Sequence, residues 1–149
     1  MCLILPRPNL RYNIVCLFFS IMPTTQQDLG SLTVLGTRSA PSRTLEVFPN
    51  HSPGLVVTLH CTEFTCVCPL TKQPDFASID ITYTADQYIV ESKSLKLYLE
   101  TYRNEGIFHE HLAADIGKDF VHFVKPSSVS VKVMFHSRGG IAIDAEWRG

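Results

Sequence analysis

Several features that often give a protein's function away are missing from this sequence. Charge of one sign is missing: 13 Lys and Arg stand against 14 Asp and Glu, a formal net charge of -1. No global field therefore draws the chain to nucleic acid or to an acidic membrane. A membrane-length apolar run is missing too. The run from Ile14 to Met22, broken by Ser20, is too short to span a bilayer. Arg7 and Arg11 ahead of it imitate a secretion signal, but no clean small-x-small cleavage site follows. No segment repeats. The cysteines make a poor disulfide framework, being five in number with Cys61, Cys66 and Cys68 crowded together. Cys66 and Cys68 are too close along an extended chain to bridge comfortably. At least one free thiol is expected, in a reducing compartment such as the cytoplasm.

What remains is a chain of 149 residues, 45% apolar and 18% charged, which suits one globular domain with its own core. Residues 1–21 read as an extension translated from a start upstream of Met22, and they are set aside from the fold. Residues 22–53, with scattered prolines and little periodicity, read as an arm wrapped over the domain or over a neighbouring subunit. From residue 54 the pattern sharpens. GLVVTLH alternates, with Leu55, Val57 and Leu59 on one face, and ASIDITYTA places Ile79, Ile81 and Tyr83 together. The stretch FTCVCPLTKQPDF reads as the loop between these two strands.

In ESKSLKLYLETYRNEG the period changes to that of a helix, with Leu95, Tyr98, Leu99 and Tyr102 as its stripe, Ser92 as N-cap and Gly106 as terminator. A second helix carries Leu112, Ile116, Phe120 and Phe123 and stops at Pro126. SSVSVKVMF and GIAIDAEWR alternate again around HSRGG, a turn suited to a hairpin. The order strand, strand, helix, helix, strand, strand predicts an α+β fold, an antiparallel sheet with two helices on one face. The exposed edges of such a sheet favour association into a larger closed one.

Chemistry concentrates in three places. Cys68 precedes Pro69, and Asp75 follows Pro74, so proline stiffens both ends of the segment that holds a thiol and a carboxylate. Cys68 could be a nucleophile, a buried apolar side chain or a metal ligand. Zinc has candidate ligands in His60, Cys61, Cys66, Cys68, His109 and His111, but C-x4-C-x-C departs from the usual knuckle. Lys93 and Lys96 share one face of a helix's first turns, where the dipole disfavours cations. A bound phosphate would reconcile them, and Arg138 beside Gly139 and Gly140 is a third phosphate candidate. Against this, lysines there also suit a plain solvated face. Glu91 and Glu110 each stand at the start of a helix. A carboxylate there suits the dipole, and it could equally accept two N–H bonds from a guanine-like base.

Taken in order, CPLTKQPDF, ESKSLKLY, RNEGIFHEH and SRGGIAID resemble the QueF family of NADPH-dependent nitrile reductases, in its short single-domain form, from about Phe64 to Asp144. The family converts 7-cyano-7-deazaguanine to 7-aminomethyl-7-deazaguanine in queuosine biosynthesis. The resemblance implies a tunnelling fold (T-fold), homo-oligomers with active sites at subunit interfaces, and no metal. It also implies roles for particular residues. Cys68 would be the nucleophile and Asp75 the proton donor, neutral when it acts. Val90, Glu91, Ser92, His109 and Glu110 would contact the substrate, and Lys93, Lys96 and Arg138 the NADPH phosphates. Cys61 and Cys66 receive no role and are expected to be buried. Three other readings stay open: a zinc-dependent hydrolase of the GTP cyclohydrolase type, an amidine-forming relative, and a non-catalytic purine- or pterin-binding module. Metal analysis tests the first, the phosphate-facing lysines count against the second, and the third predicts an unreactive Cys68.

Overall fold

The computed structural model describes residues 30, 32, 33 and 39–149. The extension expected at 1–21, and part of the arm expected at 22–53, lie outside the described residues. In chain order the elements are β1 (Val47–Pro49), β2 (Val56–Val67), β3 (Pro74–Thr84), β4 (Tyr88–Val90), α1 (Ser92–Glu100), α2 (His109–Val124), β5 (Ser128–Phe135) and β6 (Asp144–Arg148). An antiparallel sheet runs in the order β2-β3-β5-β6, with β1 and β4 forming a separate pair. The expected α+β order is borne out. Ile79, Ile81 and Tyr83 of β3 and Val129, Val131 and Val133 of β5 point inward onto Leu112, Ile116 and Phe120 of α2 and Leu95, Tyr98 and Leu99 of α1. The other face is polar, with His60, Asp80, Lys132 and Glu146 in register across the four strands.

β2 is longer than its alternation suggests. It continues through Cys66 to Val67, so the expected loop of 64–76 shrinks to 68–73. The cause is a bulge: Cys61 pairs with Ile79 but Phe64 with Ala77. One extra residue there moves the inward face from Val57, Leu59 and Cys61 to Phe64 and Cys66. The shift breaks the period-2 pattern that would otherwise mark the strand.

Two boundaries of the first helix differ from expectation. The N-cap of α1 is Glu91, not Ser92: its carboxylate accepts from the N–H groups of Lys93 and Ser94 at 2.9 and 2.7 Å. α1 ends at Glu100, where the Thr101 hydroxyl donates to the Tyr98 carbonyl at 2.6 Å. Gly106 therefore does not terminate it. α2 stops ahead of Pro126 as expected, with Lys125 closing it in the left-handed region at φ 52°, but Phe123 of the expected stripe is only half-buried while Val124 is buried. The hairpin turn is as expected. Gly139 and Gly140 both take positive φ, 58° and 84°, and Arg138 pairs with Ile141.

The end of the arm is tied down. Leu45 is buried, β1 pairs with β4, the Glu91 N–H donates to the Glu46 carbonyl at 2.8 Å, and the Glu46 N–H donates to Ser94 Oγ at 2.8 Å. These bonds fix the segment Val90–Glu91–Ser92. Among the described residues no helix is long and apolar enough to cross a membrane.

Candidate active site

Cys68 begins the connection from β2 to β3. Its N–H donates to the Gln73 carbonyl at 2.9 Å, and its carbonyl accepts from the Lys72 N–H at 3.0 Å. The tight return needs Lys72 in the left-handed region, at φ 59°. Inside this turn the Thr71 hydroxyl and the backbone N–H groups of Thr71 and Leu70 are aimed at the Cys68 sulfur. They lower its pKa below the ordinary thiol value and outweigh the opposing effects of slight desolvation and the Asp75 charge. Cys68 is half-buried as a residue and free of disulfide.

Asp75 lies one residue into β3, on the inward row that continues through Ala77, Ile79 and Ile81. It is 2% exposed. Arg138, from the β5–β6 turn, donates from Nη1 to Asp75 Oδ1 at 2.5 Å and from Nη2 to Gln73 Oε1 at 3.4 Å. His109, the first residue of α2, brings Nε2 within 3.3 Å of Asp75 Oδ2 while its ring stacks on Phe135 with centroids 3.7 Å apart. That approach is not aligned as a hydrogen bond, and Oδ2 is a buried oxygen without a hydrogen-bond partner. Directly across the sheet from Asp75 sits Cys66, fully buried, its thiol pushed up to about 11 by burial and then by the Asp75 charge.

The structure thus brings Cys68, Asp75, His109 and Arg138 to one end of the sheet. Four exposed apolar side chains frame that end: Leu70 in the Cys68 turn, Phe76 beside Asp75, Phe108 beside His109 and Ile141 beyond Arg138. Glu110, in the first turn of α2, is exposed next to His109.

Val90, Glu91, Ser92, Lys93 and Lys96 belong to a second cluster, at the start of α1. It stands near the opposite end of β3, where the buried Tyr83 hydroxyl accepts from the Val90 N–H at 3.2 Å. Ser92 and Lys96 line a cavity of about 490 Å³ between α1 and β2 that none of Cys68, Asp75, His109 or Arg138 lines. Within one chain, Arg138 bonds to Asp75 and does not join the lysines.

The zinc candidates scatter. His60 pairs with Asp80 on the polar face at 2.6 Å, Cys61 lines the cavity, Cys66 is in the core and His111 is exposed. Among the described residues no three His, Cys, Asp or Glu side chains converge as a metal site requires.

Sequence reasoning missed Thr71, Gln73 and Gly106. A threonine three residues after the cysteine in a proline-initiated turn was the available sign of the first. Gly106 bridges to Val67, with the Val67 N–H donating to the Glu105 carbonyl at 3.1 Å and the Ile107 N–H to the Val67 carbonyl at 3.2 Å. This one-residue ladder joins the approach to α2, and so His109, to the strand that ends at Cys68.

Known proteins resemble this chain along most of its length. A family model described as QueF-like protein matches residues 74–149. The NADPH-dependent 7-cyano-7-deazaguanine reductase of Syntrophus aciditrophicus is 53% identical over 125 residues, covering 83% of this chain and 89% of that protein. The protein of the same name from Frankia casuarinae is 50% identical over 116 residues, covering 77% and 93%. Among solved structures, the apo form of an archaeosine synthase QueF-Like superposes with a TM-score of 0.61 at 26% identity, covering 66% of this chain and 95% of that one.

Proposed function

This chain belongs to the QueF-like family, and from that premise we propose that it reduces the nitrile of 7-cyano-7-deazaguanine to the aminomethyl group with NADPH, as a step of queuosine biosynthesis. The observation that carries this reading is a thiol held in a turn whose donors favour the thiolate, beside a buried carboxylate with one oxygen unpartnered.

A nitrile carbon is electrophilic but resists hydride until it is activated. Attack by Cys68 sulfur converts it to a thioimide, whose C=N bond accepts hydride more readily. Asp75 Oδ2, the oxygen left without a partner, moves the proton that the nitrogen must receive. His109, stacked on Phe135, orients beside it. Glu110 and the Val90–Glu91–Ser92 segment recognise the purine-like ring, a carboxylate being suited to its adjacent N–H donors. NADPH, when bound, supplies one hydride, and two molecules in turn take the nitrile to the amine. Lys93 and Lys96 fit its phosphates: both stand in the first turns of α1, by the helix N-terminus, and Lys96 is exposed.

The two clusters complete one site across a subunit boundary on this reading. They start from opposite ends of β3, a strand of roughly 30 Å at ~3.3 Å per residue, and the lysines of one copy serve the Cys68 of another within a homo-oligomer. The apolar rim of Leu70, Phe76, Phe108 and Ile141 suits such a contact. The free thiols suit a cytoplasmic enzyme.

The test is intact-mass and peptide analysis after incubation with 7-cyano-7-deazaguanine without NADPH. One substrate mass on Cys68, absent from Cys68→Ala together with turnover, is expected. An adduct on Cys61 or Cys66, or full activity in the alanine variant, overturns the reading.

A further inference from the structure

The ion pair between Asp75 and Arg138 is unequal in a useful way. Asp75 is fixed in the core at 2% exposed, whereas the Arg138 side chain is 42% exposed and rises from a two-glycine turn. One partner cannot leave and the other can. Every element packed around Asp75 offers it a titratable or charged group: Cys66 from β2, Cys68 from the turn, His109 from α2 and Arg138 from the β5–β6 turn. Cys66 stays a neutral thiol at ordinary pH because burial disfavours its thiolate. Arg138 is the permanent cation of the set.

We propose that Arg138 is a positioning residue that sets the charge of Asp75, and that docking of the nucleotide's phosphate resets it. The inference rests on the roles given above to Cys68 and Asp75. While Arg138 is bonded to Oδ1, Asp75 is a carboxylate and acts first as a base. The Cys68 S–H bond breaks, its proton goes to Oδ2, and the sulfur pair forms the S–C bond as one π pair of the nitrile moves onto nitrogen. That nitrogen then takes the proton from Asp75. Thiol and nitrile become thioimide with nothing gained or lost, and Asp75 returns to its starting charge.

The reductive steps differ, since each consumes a proton from outside the adduct along with the hydride. A carboxylate clamped by a guanidinium is a poor carrier of that proton. A phosphate competes for the same guanidinium, which it can engage by paired N–H bonds. Once Arg138 turns to it, Asp75 is left buried without its permanent counter-charge, and a group so placed neutralises itself by binding a proton. Nucleotide docking thereby changes Asp75 from proton acceptor to loaded donor.

Two measurements test this. The first uses NADP+, which cannot deliver hydride, mixed at saturating concentration with the whole protein in weak buffer near neutral pH with an indicator dye. Wild-type protein is expected to take up close to one proton per site, while Asp75→Asn and Arg138→Gln bind without uptake. Binding by wild type with no uptake, or equal uptake by Asp75→Asn, overturns the coupling. The second is the pH profile of adduct formation in the absence of nucleotide, followed by mass. Adduct formation needs the carboxylate and fails as pH falls, so loss of Arg138 moves this acid limb upward. Arg138→Gln is expected to move it measurably upward, slowing adduct formation on the limb, and Arg138→Lys by less. An unchanged limb in Arg138→Gln refutes the role of Arg138. The wild-type adduct forms under either outcome, so failure of the coupling is separate from failure of the nitrile reading.

Discussion

Replacing Gly106 by alanine should slow the chemistry at Cys68 without touching any group that takes part in it. A Cβ built at Gly106 meets Pro69 Cα at 2.8 Å, Lys72 Nζ at 3.0 Å and Pro69 Cβ at 3.4 Å. The lysine end can swing aside. The proline backbone cannot, because Cys68 and Gln73 close the turn around it by hydrogen bonds. Reaching the ~3.5 Å optimum for carbon contacts requires Pro69 to retreat by roughly 0.7 Å, and its covalent neighbour Cys68 moves with it. A misplacement of about 1 Å at a reacting group costs on the order of 100-fold, so Gly106→Ala should lower the rate of adduct formation by about one to two orders of magnitude. Overpacking of this kind costs about 1–3 kcal/mol of stability, less than the ~5–15 kcal/mol of a typical domain, so the variant should remain folded.

The assay is the single-turnover rate of the Cys68 adduct by mass, beside a thermal unfolding curve. Adding Lys72→Ala to Gly106→Ala removes the lesser contact only and should not restore the rate. Gly117→Ala is the matched control. Its Cβ would stand 2.1 Å from the Trp147 ring, between α2 and β6. The closer overlap should lower stability at least as much, yet leave the adduct rate of the folded protein unchanged. An adduct rate in Gly106→Ala within twofold of wild type, or full rescue by Lys72→Ala, would show that the Pro69 contact does not place Cys68.

Four further outcomes are expected. Thr71→Val removes the first of the donors that favour the Cys68 thiolate, so the pH midpoint of Cys68 alkylation should rise, while Cys66, with its thiol near 11, should react only on unfolding; an unchanged midpoint removes Thr71 from the site. Lys93→Ala and Lys96→Ala should each weaken NADPH binding by about one to two decades, the worth of a charged hydrogen bond of roughly 1.5–3 kcal/mol, with a smaller effect on NADH and none on the adduct; wild-type NADPH dependence in both would reduce the lysines to a solvated face. Activity should survive exhaustive chelation, and zinc whose removal and return switch activity off and on would favour the hydrolase reading. Mixing inactive Cys68→Ala with inactive Lys93→Ala/Lys96→Ala protein, after dissociation and reassembly, should recover part of the activity, and no recovery in mixed oligomers would argue against a site built from two copies.

How much of this was legible depends on how local each feature is. The inward row of β3 was readable in Ile79, Ile81 and Tyr83, and carried two steps back it already buries Asp75. β2 was half readable, because a single bulge residue reverses the parity between Cys61 and Phe64 and makes strand look like loop. The Glu91 cap was misread because serine is the commoner cap and Ser92 stood beside it. β1 and β4 are three residues each, too short for any period to appear. The roles of Cys68 and Asp75 came from the resemblance, with the prolines as local support. The pairing of Asp75 with Arg138 joins residues 63 apart in sequence through two strand registers, and no local pattern encodes it.

On the proposed reading, strand direction explains why one chain carries two half-sites. β3 starts at the Cys68 turn and runs away from it, so whatever follows β3 begins at the far end of the sheet. That is where β4 and the N-terminus of α1 stand, held by β1 and by Tyr83. α1 then heads back, and by Gly106 the chain has returned to Val67 beside the Cys68 turn. The backbone therefore passes both ends of the sheet within about thirty residues and leaves candidate site residues at each. On the proposed reading a nucleotide phosphate sits at the start of α1, where the helix N-terminus favours an anion and Lys93 and Lys96 can pair with it. The covalent chemistry requires Cys68 next to a carboxylate, which the β2–β3 pairing provides at the other end. Pairing each end with the opposite end of another copy would unite the two clusters, and it would also cover the apolar rim around Cys68. On the proposed reading, assembly is thus a condition of catalysis and follows from the direction of a single strand.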